Sequence, residues 1–205
     1  MTLLSRLLSV FPAIILAGAL ASVAAFVASP GPLTALGPAL WLYGVPLLAF
    51  HLHQRAHPLT EGVSTLRGDA YSPWWGSHQI QWIYLAFPSL ESALRAVPGL
   101  YSAWLRAWGA RIGVGVYWTP TITVADRSLL QIDDHVVIGE RFAASSHIIK
   151  PTHDGTDLLL VVRSVRVGAG AFVGAGVVMG PGASVPAGAF VPSGTAILPG
   201  TRFSG

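Results

Sequence analysis

A six-residue repeat in the C-terminal half constrains this chain more than any other feature. Apolar residues recur at every sixth position from Ile112 to Leu130, then from Ile132 to Ala144 after a shift of two residues, and again from Val161 to Phe203. This period matches neither an amphipathic helix nor the alternation of a half-buried strand. A fixed-period repeat indicates a solenoid, in which each unit buries its apolar side chain by stacking on its neighbours.

Each six-residue unit is expected to supply one short strand and one corner, so that three units complete a triangular coil. The leading apolar side chain then points into the prism, and the glycine or proline that often follows lets the backbone turn. Successive coils pair as parallel strands, which leaves unpaired strand edges only at the two ends. The sequence therefore predicts a mainly β protein, with a parallel β-helix over residues 111–205.

The segment 168–185 carries a family resemblance, since it reads Gly-Ala-Gly-Ala-Phe-Val-Gly-Ala-Gly-Val-Val-Met-Gly-Pro-Gly-Ala-Ser-Val. It resembles the C-terminal signature of the hexapeptide-repeat acyltransferases, which include sugar and antibiotic O-acetyltransferases. The resemblance extends over roughly Leu105 to Phe203. It implies a left-handed β-helix, an exception to the right-handed crossover rule. It also implies acetyl-CoA as the acyl-CoA co-substrate, no metal, and a homotrimer with sites between neighbouring prisms.

The repeat is interrupted between Lys150 and Leu160 by a polar stretch that contains His153. Loops on a rigid scaffold commonly carry function, and an imidazole suits a general base near neutral pH. The family places its catalytic histidine in a Thr-His element before the late glycine-rich coils, and His153 matches that element. The resemblance therefore implies that His153 is catalytic. Asp154 either orients His153 or only solvates the loop.

The remaining site residues also come from the resemblance. It implies that the acyl-CoA donor, whose pantetheine arm is rich in amides, lies against exposed backbone groups and small residues. The expected acyl-CoA-binding residues are Phe172, Gly174, Ala175, Gly176, Gly194, Thr195 and Arg202. Arg202 either pairs with a donor phosphate or belongs to a frayed tail.

Acceptor binding is expected from His147, Ser146 and Lys150, and the alternative for His147 is a corner histidine bonded to the backbone. The sugar acetyltransferases usually position the acceptor with an asparagine. This chain contains no asparagine, so its acceptor contacts must differ.

The N-terminal region predicts a membrane anchor. No charged residue occurs from Leu7 to Phe50, and the apolar runs Leu7–Ala28 and Leu33–Phe50 are separated by Ser-Pro-Gly-Pro. A bilayer-spanning helix needs about 20 apolar residues, so residues 1–54 are predicted to form a transmembrane hairpin. A cleaved signal peptide and two buried soluble helices are the alternatives. Arg6 and Arg55 flank the hairpin, which favours both ends, and the catalytic domain, in the cytoplasm.

Residues 55–110 are predicted to connect the hairpin to the β-helix. Helices are expected over Gln79–Phe87 and Leu90–Trp108, broken at Pro88 and Pro98. The aromatic residues in this region either lie at the bilayer interface or pack against the body of the protein.

Together these features predict a membrane-associated acyltransferase that moves an acyl group from acyl-CoA to a hydroxyl or amine of a sugar, glycolipid or similar acceptor. The absence of cysteine excludes disulfides, thiolate zinc sites and a cysteine nucleophile. The scattered basic residues give no sign of nucleic-acid binding. One alternative is a γ-carbonic-anhydrase-like zinc enzyme using His135, His147 and His153. The other is a non-catalytic membrane scaffold.

Overall fold

The computed structural model describes residues 2–66 and 70–205. The chain divides into two compact units. The first comprises residues 2–59 and 70–83, and the second comprises residues 60–66 and 84–205.

The first unit is helical. Its elements are α1 Leu3–Ser9, α2 Phe11–Ala28, α3 Pro32–Ala39, a π-helical turn Leu40–Gly44, α4 Val45–Ala56 and the first part of α5 Pro73–Ala86. Prolines stand in the first turn of α2, α3 and α4. At the start of α3, where the preceding Gly31 is extended, the missing N–H costs no helical hydrogen bond. The π-helical turn follows Pro38 inside α3, which fits the disturbance that an interior proline causes in the hydrogen-bond ladder.

Two helical stretches in this unit are long and apolar enough to cross a bilayer, judged by length and composition. Leu3–Ala28 has 26 residues and contains an 18-residue window with a mean hydropathy of 2.4, and Pro32–Ala56 has 25 residues and contains an 18-residue window with a mean hydropathy of 1.6. The first stretch begins before the predicted run Leu7–Ala28 and ends with it at Ala28, whereas the second extends beyond the run Leu33–Phe50 at both ends. A small residue lets them approach closely, because a Cβ added to Gly18 would overlap the Trp41 ring.

The second unit contains a parallel β-helix, an antiparallel sheet and two further helices. Its elements, in chain order, are β1 Gly62–Thr65, α6 Ser89–Arg95, α7 Leu100–Ala107, β2 Arg111–Ile112, β3 Tyr117–Trp118, β4 Thr123–Val124, β5 Leu130–Ile132, β6 Val137–Ile138, β7 Ala143–Ala144, β8 His147–Pro151, β9 Leu158–Val162, β10 Val165–Val167, β11 Phe172–Val173, β12 Val178–Met179, β13 Ser184–Val185, β14 Phe190–Val191 and β15 Ala196–Ile197.

Three parallel sheets form the β-helix, with strand orders β13-β10-β5-β2, β14-β11-β6-β3 and β15-β12-β7-β4. Each coil contributes one strand to each sheet, as the repeat predicted. In the first sheet the register stacks Ile112 on Ile132, Ile132 on Val167, and Val167 on Val185. All four side chains are at most 8% exposed. The predicted column of stacked apolar residues and the parallel β-helix are therefore confirmed.

The two-residue shift in the repeat has a structural cause. A short 3-10 helix, Arg127–Leu129, lies between β4 and β5 and lengthens that corner. Leu130 consequently opens β5, and the residue that stacks on Ile112 is Ile132. Both Leu130 and Ile132 are buried.

One leading residue of the repeat was assigned wrongly. Val161 was predicted to point into the prism, but it lies in β9, is half-buried, and pairs antiparallel with Ile148 and Val63. A β-hairpin formed by β8 and β9 replaces the coil at this point, and the prism resumes at Val165. The interruption therefore covers β8 through β9 and is longer than the sequence indicated.

This hairpin, residues 147–162, is called the arm. Strand β1 adds to it as a third strand, giving the order β1-β9-β8 with antiparallel pairing throughout. The Ser164 hydroxyl donates a hydrogen bond to the Glu61 carboxylate beside this pairing. The sequence placed residues 60–66 in a helical connector, so β1 is an element that it missed.

The predicted helices of the connector are confirmed, with the break at Pro98 between α6 and α7. Their aromatic side chains are largely internal. Tyr84, Trp104 and Trp108 form an edge-to-face cluster with ring centroids 5.4–5.8 Å apart, and each is at most 8% exposed. For these residues the structure favours packing within the unit over a position at a bilayer interface, although Trp82 and Phe87 are exposed.

Candidate active site

The tip of the arm carries His153. The tip is a tight turn in which the Thr152 backbone N–H donates to the Asp157 carbonyl, and the Gly155 N–H donates to the Thr152 carbonyl, both at 2.9 Å. His153 is exposed. The structure thus presents the predicted general base at the far end of the only long excursion from the prism among the described residues of the β-helix.

The Asp154 carboxylate is engaged in shaping that tip. It accepts hydrogen bonds from the hydroxyls of Thr152 (2.5 Å) and Thr156 (2.8 Å), and from the Thr156 backbone N–H (3.2 Å). These bonds, that from the Thr152 hydroxyl first, lower the pKa of Asp154 to about 2, because they stabilise the ionised form. Asp154 is therefore ionised near neutral pH and contributes to the turn; that it orients His153 stays a prediction.

The root of the arm is more enclosed than its tip. His147 Nδ1 lies 2.7 Å from Asp126 Oδ2, and the half-buried imidazole faces a carboxylate that is 2% exposed. The Ser146 backbone N–H donates to the same oxygen at 3.0 Å. Asp126 was not identified from the sequence. It lies about twenty residues before its partners, and a lone aspartate in Val-Ala-Asp-Arg gives no signal of that contact.

Two predicted acceptor-binding residues differ sharply in exposure. Ser146 is buried, and its hydroxyl donates to the Leu129 carbonyl at 3.3 Å. Lys150 is exposed on β8, opposite Leu159. The structure gives Ser146 a place in holding the arm to the prism, and it leaves Lys150 in a position to meet a ligand near the tip.

Most of the residues predicted to bind acyl-CoA lie close together. Gly174, Ala175 and Gly176 form one corner of the prism, and Gly194 with Thr195 forms the same corner one coil further along. The two layers are in contact, because the Gly194 N–H donates to the Ala175 carbonyl at 2.8 Å. Gly176 and Gly194 have φ values of +69° and +76°, a backbone conformation that glycine adopts without strain.

The expected use of exposed backbone N–H groups at this corner is wrong in part. The N–H groups of Gly174, Gly176 and Gly194 donate to carbonyls of neighbouring coils, and that of Ala175 donates to the Ser193 hydroxyl at 3.2 Å. These N–H groups are used in hydrogen bonds between stacked coils, because the buried backbone groups of a solenoid have to be paired. A pantetheine chain at this corner would have to be recognised by shape and by carbonyl oxygens.

The aromatic member of the predicted donor site lies on the neighbouring flat face. Phe172 points outward from β11 and stacks on Phe190 of β14, with ring centroids 5.4 Å apart and planes 21° apart. Both rings are substantially exposed, by 44% and 65%. Phe190 was not predicted as a site residue, although it occupies the equivalent position one coil later, eighteen residues on.

Arg202 is separated from the glycine corner within one chain. Its strand bridge joins Ser184 of the first sheet, whereas the glycines follow strands of the second. It lines a shallow cavity of about 440 Å³ together with Pro186, Phe190 and Phe203. The described chain therefore does not unite Arg202 with the other predicted donor residues.

The three histidines of the zinc alternative are also dispersed. His135 is exposed at the corner between β5 and β6 and has a φ of 57°, while His147 faces Asp126 and His153 lies at the arm tip. Among residues 2–66 and 70–205, these three imidazoles do not form a metal-sized cluster. The arm takes His153 out of the coil, so it does not stack on His135 in spite of their eighteen-residue spacing.

No protein-family profile and no curated protein matches the sequence. Among solved structures, the chain is similar to a galactoside acetyltransferase in complex with coenzyme A, with 14% identity and a TM-score of 0.44 over 76% of this chain and 86% of that chain. It is also similar to a hexapeptide-repeat containing acetyltransferase from Vibrio cholerae O1 biovar eltor complexed with acetyl coenzyme A, with 15% identity and a TM-score of 0.41 over 68% and 90% of the two chains. A maltose O-acetyltransferase from Clostridium difficile 630 has 12% identity and a TM-score of 0.35 over 56% and 77%.

Proposed function

We propose that this protein is a membrane-associated acyltransferase that uses acyl-CoA, with acetyl-CoA as the expected donor. The acceptor is a hydroxyl or amine of a sugar, glycolipid or similar molecule. The observation that carries the proposal is the arm with His153 at its tip, built onto a parallel β-helix whose repeat sequence resembles that of the hexapeptide-repeat acyltransferases. His153 stands at the tip of that arm, exposed to an incoming acceptor.

The chemistry assigned to His153 is general base catalysis. Its imidazole accepts the proton of the acceptor hydroxyl as the oxygen attacks the thioester carbonyl carbon. The tetrahedral intermediate then collapses, the C–S bond breaks, and the imidazolium returns the proton to the departing thiolate. The products are the acyl ester and free CoA, so protons and electrons balance without a metal or redox partner.

The donor is assigned to the glycine corner and the neighbouring aromatic face. The small residues from Gly174 to Gly176 allow close approach of a narrow chain, and Phe172 offers an apolar ring beside it. In a homotrimer, the arm of one prism would meet the donor surface of the next. That assembly would also offer Arg202 to a donor held by a neighbouring chain.

Attachment to the cytoplasmic membrane rests on the two long apolar helical stretches of the first unit. Only 17% and 11% of their most apolar windows are buried, so most of their apolar surface is exposed within the chain. A bilayer provides the partner for that surface. A membrane location favours an acceptor that is itself held at the membrane.

The proposal predicts that replacing His153 with alanine lowers acyl transfer by about 100-fold or more, the range expected for a positioned base. The assay is CoA release from acetyl-CoA by membranes of cells expressing the full chain, detected with a thiol reagent. The chain contains no cysteine, so the protein itself adds no thiol signal. His135→Ala is the matched control, because His135 is also an exposed histidine of the β-helix.

If His153→Ala releases CoA as fast as the parent protein, His153 is not the general base. Mass spectrometry of the same membranes should show an acyl-modified lipid or glycan that depends on active protein, which identifies the acceptor. A scaffold predicts no such product, and a carbonic-anhydrase-like zinc enzyme predicts stoichiometric zinc in the purified protein and no CoA release by the parent.

A further inference from the structure

Two segments of the second unit meet at the root of the arm. One is the insertion between β4 and β5, and the other enters β8. Asp126 Oδ2 receives the Ser146 N–H at 3.0 Å and lies 2.7 Å from His147 Nδ1. The Ser146 hydroxyl reaches the Leu129 carbonyl at 3.3 Å. These three contacts, here called the root clasp, join the first residues of the arm to the prism.

The root clasp continues to the second strand of the arm. The Ser146 carbonyl accepts the Arg163 N–H at 2.9 Å, directly after β9 ends. The Ser145 hydroxyl donates to the His147 carbonyl at 2.8 Å. Both strands of the arm are therefore tied to one short segment, and that segment is tied to Asp126.

Asp126 is itself fixed by its neighbour. Arg127 is fully buried, and its Nε donates to Glu91 Oε1 at 2.7 Å. Its guanidinium lies 4.8 Å from the centroid of the Tyr84 ring. A chain segment held on one side by a buried ion pair offers little freedom to the carboxylate one residue earlier.

We propose that Asp126 is a positioning residue for acyl transfer, which through Ser146 and His147 sets the direction in which the arm leaves the prism and hence the place of His153. The inference rests on the proposed function, in which His153 is the base. In this role Asp126 affects the reaction only through the arm.

A small change in the direction of the arm at its root is expected to move His153, at the tip, by a much larger distance. A strand advances about 3.3 Å per residue, so six residues place His153 on the order of 20 Å from His147. A small rotation at the root becomes a displacement of several ångströms at the imidazole, and misplacement by about 1 Å is enough to slow an enzyme substantially. Asp126 Oδ2 lies within hydrogen-bond distance of two nitrogens, the Ser146 backbone N and His147 Nδ1, so one side chain holds two consecutive residues at the start of the arm.

The test compares Asp126→Ala with Asp134→Ala in the full-length protein, by acetyl-CoA turnover in membranes. Asp134 is a matched control, because its carboxylate also accepts a backbone N–H, from Val114 at 2.8 Å, at another corner of the prism. We expect Asp126→Ala to lower kcat by about 10-fold or more and to leave the KM for acetyl-CoA within about twofold. Asp134→Ala should match the parent in both.

A second measurement does not depend on activity. Hydrogen–deuterium exchange of the detergent-solubilised protein should show the amides of β8 and β9 exchanging about 10-fold faster in Asp126→Ala, with β11 unchanged. If β11 also loses protection in Asp126→Ala, the isosteric variant Asp126→Asn is tested in place of Asp126→Ala. Its kcat must fall with the prism intact, and a kcat within about twofold of the parent overturns the proposal.

The outcomes separate this inference from the proposed function. Full turnover in His153→Ala refutes the proposed base. If His153→Ala loses turnover while Asp126→Ala keeps the kcat of the parent protein and the parent's amide protection in β8 and β9, only the role of Asp126 is refuted. The double variant should be no slower than His153→Ala alone, since Asp126 acts through that imidazole. A further loss in the double variant would assign Asp126 a separate, structural effect.

Discussion

A buried arginine, Arg127, lies at the corner from which the root clasp arises. Burial disfavours the charged form of Arg127, and the adjacent Glu91 carboxylate more than compensates, so the net effect raises the pKa of the guanidinium. The same carboxylate accepts the Trp104 indole N–H at 3.0 Å. Glu91 is thus the shared partner of a buried cation and a buried donor, and neither has access to solvent that could replace it.

Replacing Glu91 with alanine should therefore be strongly destabilising. It leaves the guanidinium of Arg127 buried and uncompensated, which typically costs about 3–5 kcal/mol. Thermal unfolding of the full chain in detergent, followed by the near-ultraviolet signal of the packed tryptophans, would measure the loss. Glu140→Ala is the control, because Glu140 is exposed. Equal midpoints for the two variants would show that the ion pair is not a determinant of stability.

Elements differed in how well the sequence predicted them. Coils were predictable because each six-residue unit specifies its own strand and corner, so Ile112 and Val185 follow the same local rule. The arm sheet was not, because β1 pairs with a strand about one hundred residues later, and Gly-Val-Ser-Thr has no pattern of its own. For the same reason, His153 could be proposed from a local motif and the family resemblance, whereas the Asp126 partner of His147 could not.

Strand β1 offers a test of how the arm is stiffened. The Leu66 N–H donates to the Leu158 carbonyl at 2.9 Å, and antiparallel pairing alternates, so the Ser64 N–H also faces β9 and the Val63 N–H faces away. Ser64→Pro should remove an arm hydrogen bond, whereas Val63→Pro occupies a position that an edge strand tolerates. We expect Ser64→Pro to show faster amide exchange in β9 and slower acyl transfer, and Val63→Pro to show neither.

Equal exchange in the two proline variants would contradict that interpretation. It would mean that β1 lies beside the arm without supporting it, and that the hairpin is held by its root alone. Two-stranded hairpins are marginally stable by themselves, so the third strand is expected to matter.

At the scale of the whole molecule, the charge distribution distinguishes the parts of the chain. The outward strand residues of one prism sheet include Arg111 and Arg166, while those of the other two sheets are uncharged. The N-terminal helices carry basic residues only near their ends, at Arg6 and Arg55. The positive-inside tendency then favours the cytoplasm for both ends of the hairpin, the compartment in which acyl-CoA donors occur.

That orientation can be tested directly, because a chain without cysteine accepts single reporter thiols. Gly31→Cys lies in the turn between α2 and α3, where an added Cβ meets only the Thr34 hydroxyl at 3.8 Å. Ser204→Cys lies in the exposed tail. In intact spheroplasts, a membrane-impermeant maleimide should label Gly31→Cys at once and Ser204→Cys only after permeabilisation. The reverse pattern would place the prism outside the cytoplasm, away from its donor. Labelling of both sites before permeabilisation would mean that the apolar helices do not span the bilayer, because a spanning hairpin keeps its turn and the chain that follows it on opposite sides.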